Sequence, residues 1–363
     1  MKKVIGYGEV MGRLAPEEFY RFSQSCPGKF DFTFAGAEAN VAASVCMFGG
    51  SAAFVSALPK HAVADACIRT LNGLGVDTQH VLRTDKGRLG LYFVETGANQ
   101  RPSNVIYDRA DSSVSLTPAE AYPWETVFTD ADWFHISGIT PALSENAADS
   151  VLLAAQKAKA AGVTVSCDLN FRKKLWQWDT ALSPSELAEK TMRRILPYVD
   201  VLIGNEGDAE DVLGIRAGKT DVDAGELSID KYPAVARQII QQFPNIGKVA
   251  ITLRESISAS HNNWGAMLYN AQTDKAVFAP LKNNSYQPYE IRNIVDRVGG
   301  GDSFAAGLIF ALNSGEFAED QQALAFAVAA SCLAHSIKGD FNFSTRAEVE
   351  TLMNGSGSGR VVR

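Results

Sequence analysis

NIVDRVGGGDSFAAGLIFAL, residues 293–312, joins a short apolar segment to three consecutive glycines, an aspartate and a run of small and apolar residues with helical character. Glycines let a backbone turn tightly and approach a ligand closely. A helix beginning near Asp302 aims its free amides and the positive end of its dipole into the 299–301 turn, which makes an anion site. Asp302 reads two ways. Aspartate is a favoured helix cap. Beside a phosphate nest at the carboxyl end of a strand, it is also a base that takes the proton of an attacking hydroxyl while the amides stabilise a phosphoryl group in transit. The stretch is not a P-loop, since no G-x-x-x-x-G-K-[ST] occurs in the chain.

Outward from this motif, apolar runs alternate with helical patterns. Strands are predicted at 4–10, 52–58, 132–138, 163–170, 199–205 and 248–253, and helices at 37–50, 62–75 and 146–162, the last with a glycine stop. The later strands, such as VTVSCDLN and VDVLIGN, are almost continuously apolar, as strands covered on both faces are. The alternation predicts an α/β protein with a mostly parallel sheet. Two regions break the rhythm. Residues 12–34 include the alternating KFDFTF, and residues 88–109 read as a β-hairpin around the polar ANQRPSN. They predict a small β-sheet outside the main layer, either a flap over a site or a plain surface hairpin. The tail at 354–363 has a flexible composition, leaving 1–353 as one domain.

Composition narrows the classes. The 363 residues are 46% hydrophobic and 21% charged, with a net charge of −7 from 34 basic and 41 acidic residues. This is globular composition with no basic block to bind nucleic acid. No window is apolar enough to predict a membrane span, and the interrupted N-terminal run does not predict a signal peptide. Five cysteines, spread without a C-x-x-C pair, read as reduced thiols of a cytoplasmic protein. The five histidines are isolated, so no zinc site is expected.

VDRVGGGDSFAAG resembles the C-terminal signature of the ribokinase-like, phosphofructokinase B type carbohydrate kinases, and AGAEANVA at 35–42 resembles their glycine-rich sugar-binding turn, with Asn40 in the usual place. Ala35 and Glu38 stand where that turn commonly has glycine. The resemblance spans about residues 3–350 and implies a ribokinase-like three-layer α/β/α fold with a small β-sheet lid. It also implies ATP and Mg2+ as cofactors, Asp302 as catalytic base, and Gly299, Gly300 and Gly301 as the anion hole. GAEANVA, RPSNVIYDRA, FHISGITPAL and VSCDLNFRKKLW further resemble the 2-keto-3-deoxygluconate kinases of that family.

A keto acid carries a carboxylate, which arginine recognises with a fork of donors. Tyr107 and Arg109 share one face of a strand-like run, and Arg172 follows the strand ending in DLN. From spacing alone, Arg109 reads also as a partner of Asp108 or Asp111, and Arg172 as one charge of the run 172–174. The resemblance implies a sugar site of Gly36, Tyr92, Tyr107, Arg109, Arg172, Asp302 and Asp340. On the nucleotide side it implies Asn170, Arg172, Asn205 and a phosphate loop of Arg254, Glu255, Ser256, Ile257, Ser258 and Ala259. Asp208 would serve magnesium indirectly, with Glu206 as an alternative, and Asn205 reads also as a helix cap. The adenine pocket is expected near 327–339. The implied reaction is 6-phosphorylation of 2-keto-3-deoxygluconate. The alternatives are a kinase for fructose, ribose or the galactose-derived keto acid, and a non-catalytic sugar- or nucleotide-binding regulator. An exposed flap edge predicts a homo-oligomer formed through the lid.

Overall fold

Val201, Leu202 and Ile203 are all buried, but Val201 and Ile203 pack into one apolar cluster and Leu202 into another. Ile5 and Tyr7 part from Val4 in the same way. Successive side chains of a strand point to opposite faces, so these strands read as continuous apolar runs because the sheet is covered on both sides. The computed structural model describes residues 3–205, 207–216, 231–317 and 319–355.

From edge to edge, the main sheet runs Lys275–Ala279, His261–Asn270, Lys248–Ser258, Val201–Asn205, Thr164–Asp168, Ala131–Ser137, Lys3–Tyr7, Ala52–Pro59 and Val81–Thr84. The strands from Lys248–Ser258 to Val81–Thr84 are parallel, whereas His261–Asn270 and its other neighbours Lys275–Ala279 and Tyr289–Arg292 pair antiparallel. The helices Glu145–Ala160, Pro184–Ile195 and Tyr232–Gln242 cover one face. Ala37–Met47, Gly300–Ser314 and Asp320–Ala334 cover the other. This is the three-layer α/β/α arrangement expected from the alternation.

A separate four-stranded sheet, ordered Asp31–Ala35, Met11–Ala15, Leu91–Glu95, Asn104–Asp108, accounts for both segments that broke the rhythm. The hairpin in 88–109 pairs antiparallel from Leu91 with Asp108 to Glu95 with Asn104. Met11, Ala15, Ala35, Tyr92 and Val94 form its own small core.

One prediction is corrected. The strand expected at 248–253 continues to Ser258, with Arg254 opposite Trp264, Glu255 opposite Asn263 and Ser256 opposite Asn262. Residues 254–259 contain no glycine to release the chain from extended pairing, so most of the expected phosphate loop is instead one arm of a long hairpin. The alternatives resting on Glu206 and most of the tail, 356–363, lie outside the described residues. The five cysteines are free. Among the described residues, no helix is long and apolar enough to cross a membrane.

Candidate active site

A cavity of about 340 Å³ opens where the parallel strands end at their carboxyl edge, between the main sheet and the small sheet. Chain reversals after parallel strands gather loops at this edge, which is why ligands bind there in open α/β sheets. Gly36, Tyr92, Tyr107, Arg109, Asn170, Arg172, Asn205, Asp208, Arg254, Gly299, Gly300, Gly301, Asp302 and Asp340 all line it. Glu255, Ser256, Ile257, Ser258 and Ala259 do not, because the hairpin arm carries them away; Glu255 accepts a hydrogen bond from Asn263 Nδ2 at 2.6 Å.

The glycine turn sits at the centre. Gly299 is the N-cap of the Gly300–Ser314 helix, with φ +84°, and a Cβ there would lie 2.2 Å from the Asp340 carbonyl oxygen. Only glycine fits that position. The helix thus begins two residues before the predicted start, and Asp302 lies in its first turn rather than at its cap. Asp302 Oδ2 instead accepts a hydrogen bond from Asn40 Nδ2 at 2.6 Å. Burial raises the Asp302 pKa to about 7; the charges of Asp340 and Glu38 add to the rise, against the Asn40 hydrogen bond and the Arg172 charge. Glu38, at a place commonly held by glycine in the resembled family, is buried and accepts from Ser137 N, Ser137 Oγ and Thr140 Oγ1 at 3.0, 2.7 and 3.1 Å.

On the small-sheet side, Arg109 is buried and pairs with Glu9, its Nε 2.7 Å from Glu9 Oε2. Neither Asp108 nor Asp111 is its partner: Asp108 is taken by Arg88. The Arg109 guanidinium also lies 5.5 Å from the centre of the Tyr107 ring. Tyr92 donates its hydroxyl to Asp340 Oδ1 at 2.6 Å. Asp340 is buried and also pairs with Arg13.

On the opposite side, Asn205 Oδ1 accepts from Gly207 N and Asp208 N at 2.8 and 3.1 Å, so this side chain holds the start of the Asp208–Leu213 helix, whose cap is Gly207, while lining the cavity. Asp208 is buried, its oxygens accepting Phe171 N at 3.1 Å and Asn205 N at 2.8 Å. Asp168 lies nearby; burial, then the charges of Asp208 and Asp302, raise its pKa well above the carboxylate range. Exposed Arg172 bonds to the Phe171 carbonyl at 2.9 Å, and its charge is felt by Asp168, Asp208 and Asp302. Hard oxygen donors of this kind suit magnesium that keeps its waters. Among the described residues, no group of three ligating side chains could grip a metal by itself.

Sequence reasoning passed over Glu9, Asp168, Arg297 and His335, which also line the cavity. Glu9 closely follows the first strand and Asp168 ends another, so the carboxyl-edge rule could have found both. Arg297 stands inside the glycine signature and donates to Ala259 O at 2.7 Å and Asn262 Oδ1 at 2.9 Å. His335 is the one residue of 327–339 in the cavity lining; the rest of that stretch up to Ala334 belongs to the core helix Asp320–Ala334.

The family model described as pfkB family carbohydrate kinase matches residues 1–345. A 2-dehydro-3-deoxygalactonokinase from Haloferax volcanii is 33% identical over 98% of this chain and 98% of its own length. The structure of a 2-dehydro-3-deoxygluconokinase from Thermotoga maritima is 42% identical, with a TM-score of 0.87 over 98% of this chain and all of that one (100%). A PfkB family carbohydrate kinase from Listeria grayi is 29% identical, with a TM-score of 0.84 over 97% of this chain and 100% of that one.

Proposed function

Within the pfkB family of carbohydrate kinases, to which this chain belongs, we propose that it transfers the γ-phosphate of ATP to the 6-hydroxyl of 2-keto-3-deoxygluconate (2-dehydro-3-deoxygluconate). The observation that carries the reading is Asp302 itself. It is a half-buried carboxylate with a pKa of about 7, in the first turn of a helix whose glycine N-terminus opens into the cavity. A base poised near neutrality combines the ionised form with a useful drive for proton transfer.

The sugar acid binds between Gly36, the small sheet and Asp302, and ATP lies along Asn170, Asn205 and Arg254. Asp302 takes the proton of the 6-hydroxyl as its oxygen attacks the γ-phosphorus, and the bond to the β,γ-bridging oxygen breaks to release ADP. The amides of the 299–301 turn face the charge on the phosphoryl oxygens, where fixed dipoles act without reorganising. The small sheet serves as a lid that keeps water from competing as nucleophile. Asp168 and Asp208 would hold the waters of Mg2+, which supplies neutralisation of the phosphate charge when bound with the nucleotide. Arg172 and Arg109 provide the cations for the substrate carboxylate, with Glu9 moderating Arg109. The edge strands of the lid, with Phe32 and Ile106 exposed, support pairing with the lid of a second copy.

The identity to the Thermotoga maritima enzyme supports the gluconate-derived substrate. The full-length likeness to the Haloferax volcanii enzyme supports a second reading, the galactonate-derived epimer. A coupled ADP-release assay with Mg·ATP tests both against fructose and ribose. Selective turnover of the keto acids is the expected result, and their ratio separates the two readings. Preference for a neutral sugar would overturn the carboxylate argument. ATP binding without turnover of any sugar would favour a regulator.

A further inference from the structure

Arg13 lies on the Met11–Ala15 strand of the small sheet, yet only 2% of it is exposed and its guanidinium reaches into the main domain. There it forks. One nitrogen pairs with Asp296 and another with Asp340. Each carboxylate belongs to a segment that shapes the active site. Asp296 begins the approach to the glycines: its Oδ1 accepts from Arg297 N and Val298 N at 2.8 and 3.1 Å. Asp340 lines the cavity, and its carbonyl oxygen is the atom that leaves no room for a side chain at Gly299. The two segments touch directly, since Gly339 N donates to Asp296 Oδ2 at 3.2 Å. Without a cation, two buried carboxylates would face each other across the base of the glycine turn. Asp340 also receives the Tyr92 hydroxyl, from the neighbouring lid strand. The lid is thereby tied to the turn through the buried Arg13, in addition to the exposed pair of Asp31 on the lid with Lys338.

We propose that Arg13 is a positioning residue for phosphoryl transfer, an internal cation on the lid that holds the glycine turn and Asp340 in register. The inference rests on the kinase reading above. It assigns no contact between Arg13 and either substrate: Arg13 lies behind Asp340 and is not part of the cavity lining. Its loss therefore acts on the alignment of the amides and of Asp302, and on the charge that Asp340 presents to Asp302.

The test compares wild type, Arg13→Ala and Arg13→Lys for kcat and both KM values, with and without millimolar guanidinium, alongside melting curves. Misalignment of reacting groups by about an ångström lowers rates about 10²-fold, and that is the loss of kcat expected for Arg13→Ala. KM for ATP and sugar should stay within a few-fold. Added guanidinium should restore part of kcat in Arg13→Ala and leave wild type unchanged. The remaining activity of Arg13→Ala should start at higher pH, because Asp340 without its partner raises the Asp302 pKa. Arg13→Lys keeps a charge but not the planar fork, so it should fold where Arg13→Ala does not and still lose kcat. Unchanged kcat in folded variants overturns the inference and leaves the kinase reading intact. A lowered melting temperature with normal kcat per folded molecule, or a loss insensitive to guanidinium and pH, assigns Arg13 to stability alone and also overturns it. Absence of turnover in wild type on every sugar overturns the kinase reading, and this inference with it.

Discussion

Asn40 Nδ2 donates to Asp302 Oδ2 across 2.6 Å, joining the start of the Ala37–Met47 helix to the first turn of the Gly300–Ser314 helix. The bond favours the ionised carboxylate, against the burial that raises its pKa. Asn40→Ala removes that support. The acid limb of kcat should then move to higher pH, by about one pH unit for the loss of a hydrogen bond to a charged group. A kcat profile with an unmoved limb would show that Asn40 does not tune the base.

Asp302 should also make stability depend on pH. Its pKa is 3.8 in its ordinary state and about 7 in the fold, so the folded chain holds this proton more tightly than the unfolded one. The resulting stabilisation is complete below pH 3.8 and is lost as pH rises through about 7. Asp302→Asn is neutral throughout. Its Tm should exceed that of wild type above pH 7, with the gap closing as pH falls toward 3.8. A pH-independent gap in paired melting curves would contradict the proton-holding carboxyl.

Arg172 separates substrate recognition from folding. It is exposed, and its one described hydrogen bond is to a neighbouring carbonyl, so Arg172→Ala should change Tm little. Loss of a charge-assisted hydrogen bond, at about 1.5–3 kcal/mol, corresponds to a drop in kcat/KM of about 10- to 10²-fold for a keto acid. A neutral sugar should be much less affected. Equal losses for charged and neutral sugars would remove Arg172 from carboxylate recognition.

Two glycines of the same turn, Gly299 and Gly301, should respond differently to alanine. At Gly299 a Cβ would collide with the Asp340 carbonyl and φ is +84°, so Gly299→Ala should lower Tm and activity together. At Gly301 a Cβ meets nothing within 4 Å. Gly301→Ala should keep or raise stability, by up to about 1 kcal/mol of helix preference, while lowering kcat because the methyl occupies the space proposed for phosphate. Thermal melts and initial rates on the two variants check the contrast.

Much of this architecture could be read from one-dimensional patterns because the pattern and the physics are local. Strands buried on two faces are apolar throughout, as in VDVLIGN, and a glycine-rich turn before a helix announces where the cavity forms. The polar network behind the site was not readable in this way. Arg13 meets Asp340 and Asp296 over sequence separations of 327 and 283, and Arg109 meets Glu9 over 100. Such pairings depend on the lid folding back over the sheet, which no spacing rule encodes. The expected phosphate loop at 254–259 differs for another reason: the resemblance implies a loop, whereas extended pairing of 254–258 with residues 261–264 persists where no glycine interrupts it.

The most direct test of the central claim is phosphoryl transfer from Mg·ATP to 2-keto-3-deoxygluconate by wild type and Asp302→Asn, with ATP affinity measured calorimetrically on both. Loss of a general base lowers turnover about 10²- to 10⁴-fold, and the account predicts that loss with ATP binding essentially unchanged. Turnover by Asp302→Asn close to that of wild type would contradict it.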